Sequence, residues 1–241
     1  MRTIWLTILG VIPAACVAAQ QPAGPRVSAN DTWTYQDTVE SRSGWRQNRT
    51  DLTVVRAGAS EIVVSSRPSG SSLPPTEQLA GPDWSRVRSV NGQQTVVNRP
   101  LVFPLNIGRA WEVDYTDNQP SNRAHSSEHY HSVYKVTGWE DVTVPAGTFH
   151  ALKIEAEGTW SAVIAPSVGS VAGSRVDAHG ATTVIQTGRT TAAPVSGRTY
   201  KAFWYVPAVK RWVKADEEYY DPNGVRNQRF LDELTAYKVA E

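Results

Sequence analysis

The chain has 241 residues, of which 40% are hydrophobic and 20% are charged. These proportions are ordinary for a protein that buries a core, and they argue against a disordered tail, a collagen-like fibre and a polytopic membrane protein. Lysine and arginine number 24 against 23 aspartates and glutamates, which gives a formal net charge of +1. Nucleic-acid binding is not expected, because phosphate neutralisation requires a basic excess.

The first 19 residues have the three-part layout of a secretory signal peptide. Arg2 supplies an early positive charge, an apolar run follows at residues 4–12, and small residues follow Pro13. The run is too short for a permanent transmembrane helix, so we predict no membrane span in the mature chain. The sequence VAA at residues 17–19 suits cleavage before Gln20. Cleavage removes Arg2 and leaves 23 basic against 23 acidic residues, a net charge of zero.

Cys16 leaves a second mode of processing open. The sequence AAC at residues 14–16 supports a bacterial lipoprotein signal in which Cys16 is lipidated, although Pro13 stands where such signals prefer leucine. We favour simple cleavage, whereas lipidation would tether the protein to a membrane. Both predict export to the periplasm or cell envelope. Since Cys16 is the only cysteine, the mature body is expected to lack disulfides, thiol catalysis and zinc–thiolate sites.

Beyond a tether at residues 20–29, apolar and polar residues alternate with the period of two that indicates β-strands. The alternation is clearest at residues 32–36, 111–116, 152–156 and 200–206. Turn signals separate such runs, namely Asn91-Gly92, PAG at residues 145–147 and DPNG at residues 221–224. The pattern predicts an all-β, antiparallel fold with minor α content and about ten or eleven strands. We expect a single β domain over residues 30–241.

Two weakly patterned stretches interrupt the alternation. Residues 65–81 are rich in Ser, Pro and Gly, and residues 165–198 are rich in Gly, Ala, Ser, Thr and Val. We interpret both as long loops or insertions within the domain, with one possible strand at residues 182–187. The best helical candidates are short and lie around residues 75–79 and 231–237.

Several short motifs occur in a familiar order: FPLNIGRAW at 103–111, VTVPAGTF at 142–149, FWYVP at 203–207, RWVK at 211–214 and ELTAY at 233–237. Together they resemble a broad group of uncharacterised bacterial periplasmic proteins, similar in architecture to the lipoprotein carrier and receptor proteins of the cell envelope. The resemblance implies a single strongly curved antiparallel sheet, a half-barrel or open barrel, around an apolar cavity. It implies no catalytic residues. The insertion at 165–198 departs from the group and is expected to cover or extend the concave face.

Tryptophan and tyrosine exceed phenylalanine, with nine Trp (eight beyond Trp5 in the signal), nine Tyr and four Phe. Such residues suit places where a large apolar body presents a polar tip. Core packing and edge capping account for most of them. The sharper hypothesis is a concave face that holds a lipid-like or other amphipathic ligand. Its predicted ligand-binding residues are Trp33, Tyr35, Trp111, Tyr115, Tyr130, Tyr134, Trp160 and Trp204. Stacking of the same rings on sugars is a third interpretation.

The segment from His125 to His131 is the most conspicuous polar cluster. On a strand, His129 and His131 share one face, a spacing that can bind zinc or copper. We predict that His129 and His131 are exposed to solvent, because their face of the strand points outward, and we predict no bound metal. The sequence SVYK at residues 132–135 matches a Ser-x-x-Lys motif, but that chemistry requires a helix.

Clustered carboxylates keep a hydrolase among the alternatives. Asp216, Glu217 and Glu218 are adjacent, and Asp232-Glu233 follow. Paired carboxylates must face each other across a substrate, whereas consecutive charges near strand ends are typical of a solvated edge. We therefore expect a non-catalytic exported envelope protein without cofactors that binds an apolar or amphipathic small molecule. The alternatives are a structural or interaction protein with a solid core, and a secreted carbohydrate-binding module or hydrolase.

Overall fold

The computed structural model describes residues 24–165, 167–177, 180–190 and 193–240, with side chains at 24–165 and 194–240. The predicted signal, Cys16 and His179 lie outside the described residues.

The described chain consists almost entirely of strands. One turn of 3-10 helix, Pro207–Val209, is the only helix in these residues, and none of them forms a helix with the length and apolarity that a bilayer crossing needs. The strands are β1 (Thr32–Ser41), β2 (Gly44–Ala57), β3 (Ile62–Pro68), β4 (Thr76–Ala80), β5 (Arg86–Val90), β6 (Gln93–Asn98), β7 (Ala110–Asp117), β8 (His125–Val144), β9 (Gly147–Ile164), β10 (Ser167–Asp177), β11 (Gly180–Thr190), β12 (Ala193–Val206), β13 (Arg211–Tyr220) and β14 (Arg226–Lys238).

Ten of these strands form one open antiparallel sheet in the order β4-β3-β2-β1-β14-β13-β12-β9-β8-β7. The sheet curves so strongly that the tip of the β8–β9 hairpin reaches β14, three strands away from β9. There the amide of Ala146 donates to the carbonyl of Leu234 at 2.9 Å. The predicted fold class, a single strongly curved antiparallel sheet, is confirmed.

Hairpins account for the remaining strands and for several predicted turns. β5 pairs with β6 and β10 pairs with β11, each as a separate two-stranded sheet. Asn91 and Gly92 both have positive φ, 51° and 81°, as the predicted turn between β5 and β6 requires. The predicted turns at 145–147 and 221–224 likewise separate β8 from β9 and β13 from β14.

Two local expectations are wrong. The segments at 75–79 and 231–237, which the sequence offered as helical candidates, are extended. The first lies largely in β4 and the second in the C-terminal half of β14, and both pair with neighbouring strands. Residues 65–81 continue β3 and include β4, so they are not one long loop. Residues 165–198 contain the β10–β11 hairpin and the start of β12, and the possible strand at 182–187 lies within β11.

The core lies on one side of the main sheet, which we call the inner face and which carries Trp33, Tyr134 and Phe203. All three are at most 1% exposed. Trp84, from the loop before β5, packs edge-on against Trp33 at a centroid distance of 5.3 Å. The indoles of Trp33 and Trp84 donate to the carbonyls of Val209 and Lys210, so they also fix the connection between β12 and β13.

Candidate functional site

A cavity of about 540 Å³ opens on the inner face, between β7, β8, β12 and β13 on one side and the β5–β6 hairpin on the other. We call it the tyrosine cavity, after the four phenols that line it: Tyr115, Tyr130, Tyr134 and Tyr219. Its other lining residues are mostly polar or charged: Arg86, Arg88, Asn98, Ser121, Glu128, Ser132, Thr199, Lys201 and Glu217, with Val97 and Val113.

Strand alternation and register bring the phenols together. Tyr130 and Tyr134 are four residues apart on β8, so both point to the inner face. β7 places Tyr115 directly opposite Tyr130, and the two rings stack with centroids 5.2 Å apart. Trp111 lies opposite Tyr134 and stacks on it at 5.6 Å. The Tyr134 hydroxyl donates to Oδ1 of Asn98 at 2.8 Å, which joins the wall to the covering hairpin.

Seven of the eight predicted ligand-binding residues lie on the inner face, but only Tyr115, Tyr130 and Tyr134 line the tyrosine cavity. Trp33 and Tyr35 are core residues, 1% and 3% exposed. Trp111 supports Tyr134 from behind, and Trp160 donates from its indole to the carbonyl of Tyr220 at 3.1 Å.

Trp204 lies on the opposite, outer face. It follows Phe203, which is on the inner face, and its cross-strand partners are Lys153 and Lys214. Both ammonium groups lie over its ring, at 5.3 and 5.2 Å from the centroid, and its indole donates to Glu140. Trp204 is therefore shielded by charged side chains and is remote from the cavity.

Charge inside the tyrosine cavity is mostly paired. Lys201 Nζ lies 3.1 Å from Glu217 Oε2. Burial alone would lower the pKa of Lys201, but the Glu217 carboxylate, together with Tyr219 and Tyr134, outweighs burial and raises it, so this lysine stays protonated. Arg88 contacts Asp117 at 3.2 Å, and Glu128 contacts His125 at 2.7 Å.

The phenols remain hydrogen-bond donors at neutral pH. Burial raises the pKa of Tyr134 to about 12, and it also raises the pKa values of Tyr130 and Tyr219. Two other polar side-chain atoms in the wall have no hydrogen-bond partner among the described residues: Oγ1 of Thr199, a residue 4% exposed, and Nε of Arg88. Both atoms are buried behind the cavity surface, and buried polar atoms without partners are uncommon in proteins.

A second, smaller cavity of about 250 Å³ shares Arg86, Asn98 and Glu217 with the tyrosine cavity, and we call it the inner lobe. Arg211 and Asp232 line it together with the indoles of Trp84 and Trp212. Burial, with the neighbouring carboxylates Asp37 and Glu217, raises the pKa of Asp232 to about 7, against a partly compensating effect of Arg211.

The raised pKa of Asp232 predicts an unusual dependence of stability on pH. The folded protein holds a proton on Asp232 up to a pH of about 7, whereas the unfolded chain releases it near about 3.9. The free energy of unfolding should therefore fall as the pH rises between these two values and then level off. Asp232→Asn should flatten this slope and raise stability above pH 7 by about 1 kcal/mol or more. Urea unfolding across the pH range measures both.

Asp37, whose pKa burial also raises, contributes to the slope with the same sign, so Asp232→Asn should reduce the slope without abolishing it. Asp51→Asn, on the neighbouring strand β2, is the control substitution of a carboxylate that does not line the inner lobe. An unchanged slope in Asp232→Asn would show that Asp232 is ionised in the folded protein at acidic pH.

Sequence reasoning missed Lys201, Tyr219 and Arg211, and it treated Glu217 as one of three solvated edge charges. Alternation on β13 in fact turns Glu217 inward, together with Tyr219, to the cavity. The signal that could have found these residues is the register of β12 against β13, which places Lys201 directly opposite Glu217.

Two of the histidines share one face of a strand, as the sequence predicted. His129 and His131 are on the outer face, paired with Asp114 at 3.2 Å and Glu112 at 3.7 Å. Among residues with described positions, no three His, Cys, Asp or Glu side chains are grouped as a metal site requires. Ser132 lines the tyrosine cavity, whereas Lys135 is exposed on the other face.

Comparison with known proteins gives distant structural likenesses only. No family model and no curated protein sequence matches the chain. A provisionally assigned lipoprotein from Parabacteroides distasonis has 14% identity and a TM-score of 0.45, over 91% of this chain and 100% of that one. A provisionally assigned exported protein with YmcC-like fold from Bacteroides fragilis has 13% identity and a TM-score of 0.39, over 91% and 100%. The hypothetical lipoprotein YmcC from Escherichia coli K12 has 9% identity and a TM-score of 0.30, over 87% and 85%. Likenesses at this level carry no argument about function.

Proposed function

We propose that this chain is an exported protein of the cell envelope that binds an amphipathic small molecule in the tyrosine cavity and catalyses no reaction. One observation carries the proposal: the inner face, filled by its own side chains around Trp33 and Phe203, leaves about 540 Å³ open where the four tyrosines lie. A volume of this order is typical of small-molecule sites.

The cavity wall favours an amphipathic ligand over a purely apolar one. The ring faces of the stacked Tyr115 and Tyr130 offer apolar contact. The Lys201–Glu217 pair, in contrast, loses hydration when the cavity fills and needs polar partners in return. A ligand with a hydrocarbon part and a hydrogen-bonding part meets both demands.

The envelope location is supported by the N-terminal sequence. Arg2, the apolar run at 4–12 and the small residues before Gln20 have the order of an export signal. Lipidation of Cys16 in place of simple cleavage would add a membrane tether. Intact-mass analysis of the mature protein distinguishes the two, because lipidation starts the chain at Cys16 and adds acyl mass.

A hydrolase is the second candidate, and one observation favours it: Glu217 and Asp232 line the same inner lobe, and the pKa of Asp232 lies near 7, where a general acid is useful. Non-catalytic binding has better support, because Glu217 is neutralised by Lys201 at 3.1 Å. Assay of chromogenic glycosides with wild type and Asp232→Asn tests the alternative, which requires turnover that the substitution removes.

Truncating the cavity wall should weaken binding of an amphipathic probe. We expect Tyr130→Ala to raise the dissociation constant of decyl maltoside at least about tenfold, because the ring stacked on Tyr115 and its hydroxyl are lost together. Isothermal titration calorimetry below the micellar concentration measures this. Trp139→Ala is the matched control, since Trp139 is 39% exposed, stacks only on His150 and lies outside the cavity.

Two results would contradict the proposed function. One is equal binding of the probe by Tyr130→Ala and wild type, which would place binding elsewhere. The other is a protein that binds no alkyl probe and that yields no small molecule by native mass spectrometry after purification from the envelope; this would support the interaction protein.

A further inference from the structure

Arg211 occupies an unusual position at the wall of the inner lobe. Its guanidinium carbon lies 4.1 Å from the ring centroids of both Trp84 and Trp212. Tyr35 and Trp33 lie further out, at 5.6 and 5.9 Å. Aromatic rings on both sides hold the guanidinium plane in place through cation–π contact, so its orientation is set before any ligand arrives.

The aromatic cage leaves the charge of Arg211 without a carboxylate partner. Within the described residues Arg211 forms no ion pair, and its buried Nε has no hydrogen-bond partner. Burial lowers its pKa, and this effect is opposed first by the Tyr35 side chain and then, at longer range, by Asp232. A buried guanidinium whose N–H groups are not all satisfied is costly. The packing of the core alone therefore does not explain why the Arg211 side chain lines a cavity.

Arg86 adds a second cation to the same cavity. It lies at the start of β5, lines both the inner lobe and the tyrosine cavity, and forms no ion pair with any carboxylate of the described chain. It thus stands where the two cavities meet. A ligand that extends from one cavity into the other passes this side chain.

The acidic groups around the inner lobe leave room for an anion. Glu217 is neutralised by Lys201 at 3.1 Å. Asp232 faces the lobe from β14 and Asp37 lies beside it on β1, where the Thr50 hydroxyl donates to Asp37. When Asp232 carries its proton, Arg86 and Arg211 outnumber the one unneutralised carboxylate, Asp37.

We propose that the inner lobe binds the anionic head group of the amphipathic ligand, a carboxylate or a phosphate monoester, through Arg211 and Arg86, while the tyrosine cavity holds the remainder. This proposal rests on the proposed function. Guanidinium groups suit such anions, because their forked N–H donors match two oxygens at once.

Anion binding must then be coupled to the protonation of Asp232. An anion beside Arg211 repels the ionised carboxylate of Asp232 and favours the protonated form. Above the pKa of about 7 that Asp232 has in the ligand-free protein, binding of the anion is therefore accompanied by uptake of a proton. Affinity for a carboxylate head, whose own charge is constant in this range, should therefore fall as the pH rises through 7 and above. Affinity for a neutral head should change less.

Matched alkyl probes test the proposal. We would measure decyl phosphate, decanoate and the uncharged decyl maltoside by calorimetry, one unit below and one unit above the Asp232 pKa of about 7. At the lower pH, wild type should bind decyl phosphate at least about tenfold more tightly than decyl maltoside. Arg86→Gln, at an exposed side chain, should lose most of this preference, whereas the exposed Arg49→Gln should keep it.

Arg211→Gln should abolish the preference, and Arg211→Lys should restore part of it if the variant folds with wild-type circular dichroism. Asp232→Asn should keep the preference and lose the pH dependence of decanoate binding; decanoate is the probe for this comparison because a phosphate monoester has its own second pKa of about 6. Competition with inorganic phosphate distinguishes a site for free anions from a site for a lipid-like head group. Inorganic phosphate should compete only weakly with decyl phosphate. Competition at equal affinity would overturn the amphipathic part of the proposal.

The failures of the two proposals are distinguishable. Equal affinities for anionic and neutral probes, unaffected by Arg86→Gln, overturn the anion site and leave the proposed function intact. Binding of no alkyl probe by wild type overturns both.

Discussion

Replacing Trp33 with alanine is expected to lower the free energy of unfolding by about 3–5 kcal/mol, the range for large aromatic truncations in a core. Trp33 is 1% exposed and packs edge-on against Trp84 at 5.3 Å. Its indole donates at 2.9 Å to the carbonyl of Val209, which the substitution leaves without that donor. Equilibrium unfolding in urea, monitored by the remaining tryptophans, measures the change.

The matched control is Trp45→Ala. Trp45 is 70% exposed at the start of β2, so its truncation should change stability by no more than about 0.5 kcal/mol. Similar losses for the two variants would mean that Trp33 does not pack as the structure places it.

Much of the fold was predictable, because its strongest signals are local. Alternation at residues 32–36 and 111–116 indicated β1 and β7, and Asn91-Gly92 indicated the β5–β6 hairpin. Both depend only on nearby residues, since period-two burial and positive φ are local properties.

The helical interpretation of residues 231–237 failed for a physical reason. A β-bulge at Thr235 shifts the register of β14 against β1, between the pairs Thr34–Ala236 and Tyr35–Leu234. The bulge breaks strict alternation, so the apolar residues take a spacing that resembles a helix turn. Only the partner strand reveals that the segment is extended.

The candidate site was predictable in part, because alternation separates two faces of a strand without telling which face is concave. In β12 the apolar set of Tyr200, Ala202 and Trp204 lies on the outer face, and the inner set includes Thr199 and Lys201. Trp204 was therefore assigned to the wrong face. In β8 the aromatic set was the inner one, so Tyr130 and Tyr134 were placed correctly.

The polar half of the site depends on long-range register. Lys201 lies directly opposite Glu217, in a strand pair whose alignment shifts at a bulge beside Trp204. The neighbours of Glu217 in sequence, Asp216 and Glu218, point outward and bind Arg229 and Arg226. Three consecutive carboxylates thus have two different roles, and no local pattern separates them.

The Lys201–Glu217 pair provides the second large effect. We expect Glu217→Gln to lower the free energy of unfolding by about 3 kcal/mol, because Lys201 is 12% exposed and loses its carboxylate, at 3.1 Å in the wild type. Lys201→Met should cost somewhat less, since Glu217 is 24% exposed and retains more contact with water. Urea unfolding at neutral pH measures both variants.

The double variant Lys201→Met/Glu217→Gln tests whether the loss of stability in the single variants comes from a buried charge left without its partner. It should recover most of the loss, because neither charge then remains alone, and the coupling energy of the cycle should exceed about 1.5 kcal/mol. The raised pKa of Lys201 keeps this lysine charged at neutral pH, so with rising pH the contribution of the pair is lost only when the solution becomes strongly alkaline. The exposed pair Arg56–Glu61, 3.1 Å apart, is the control and should show a coupling below about 1 kcal/mol. Additive losses from Lys201 and Glu217 would mean that each side chain acts through its own packing and that the two charges do not depend on each other.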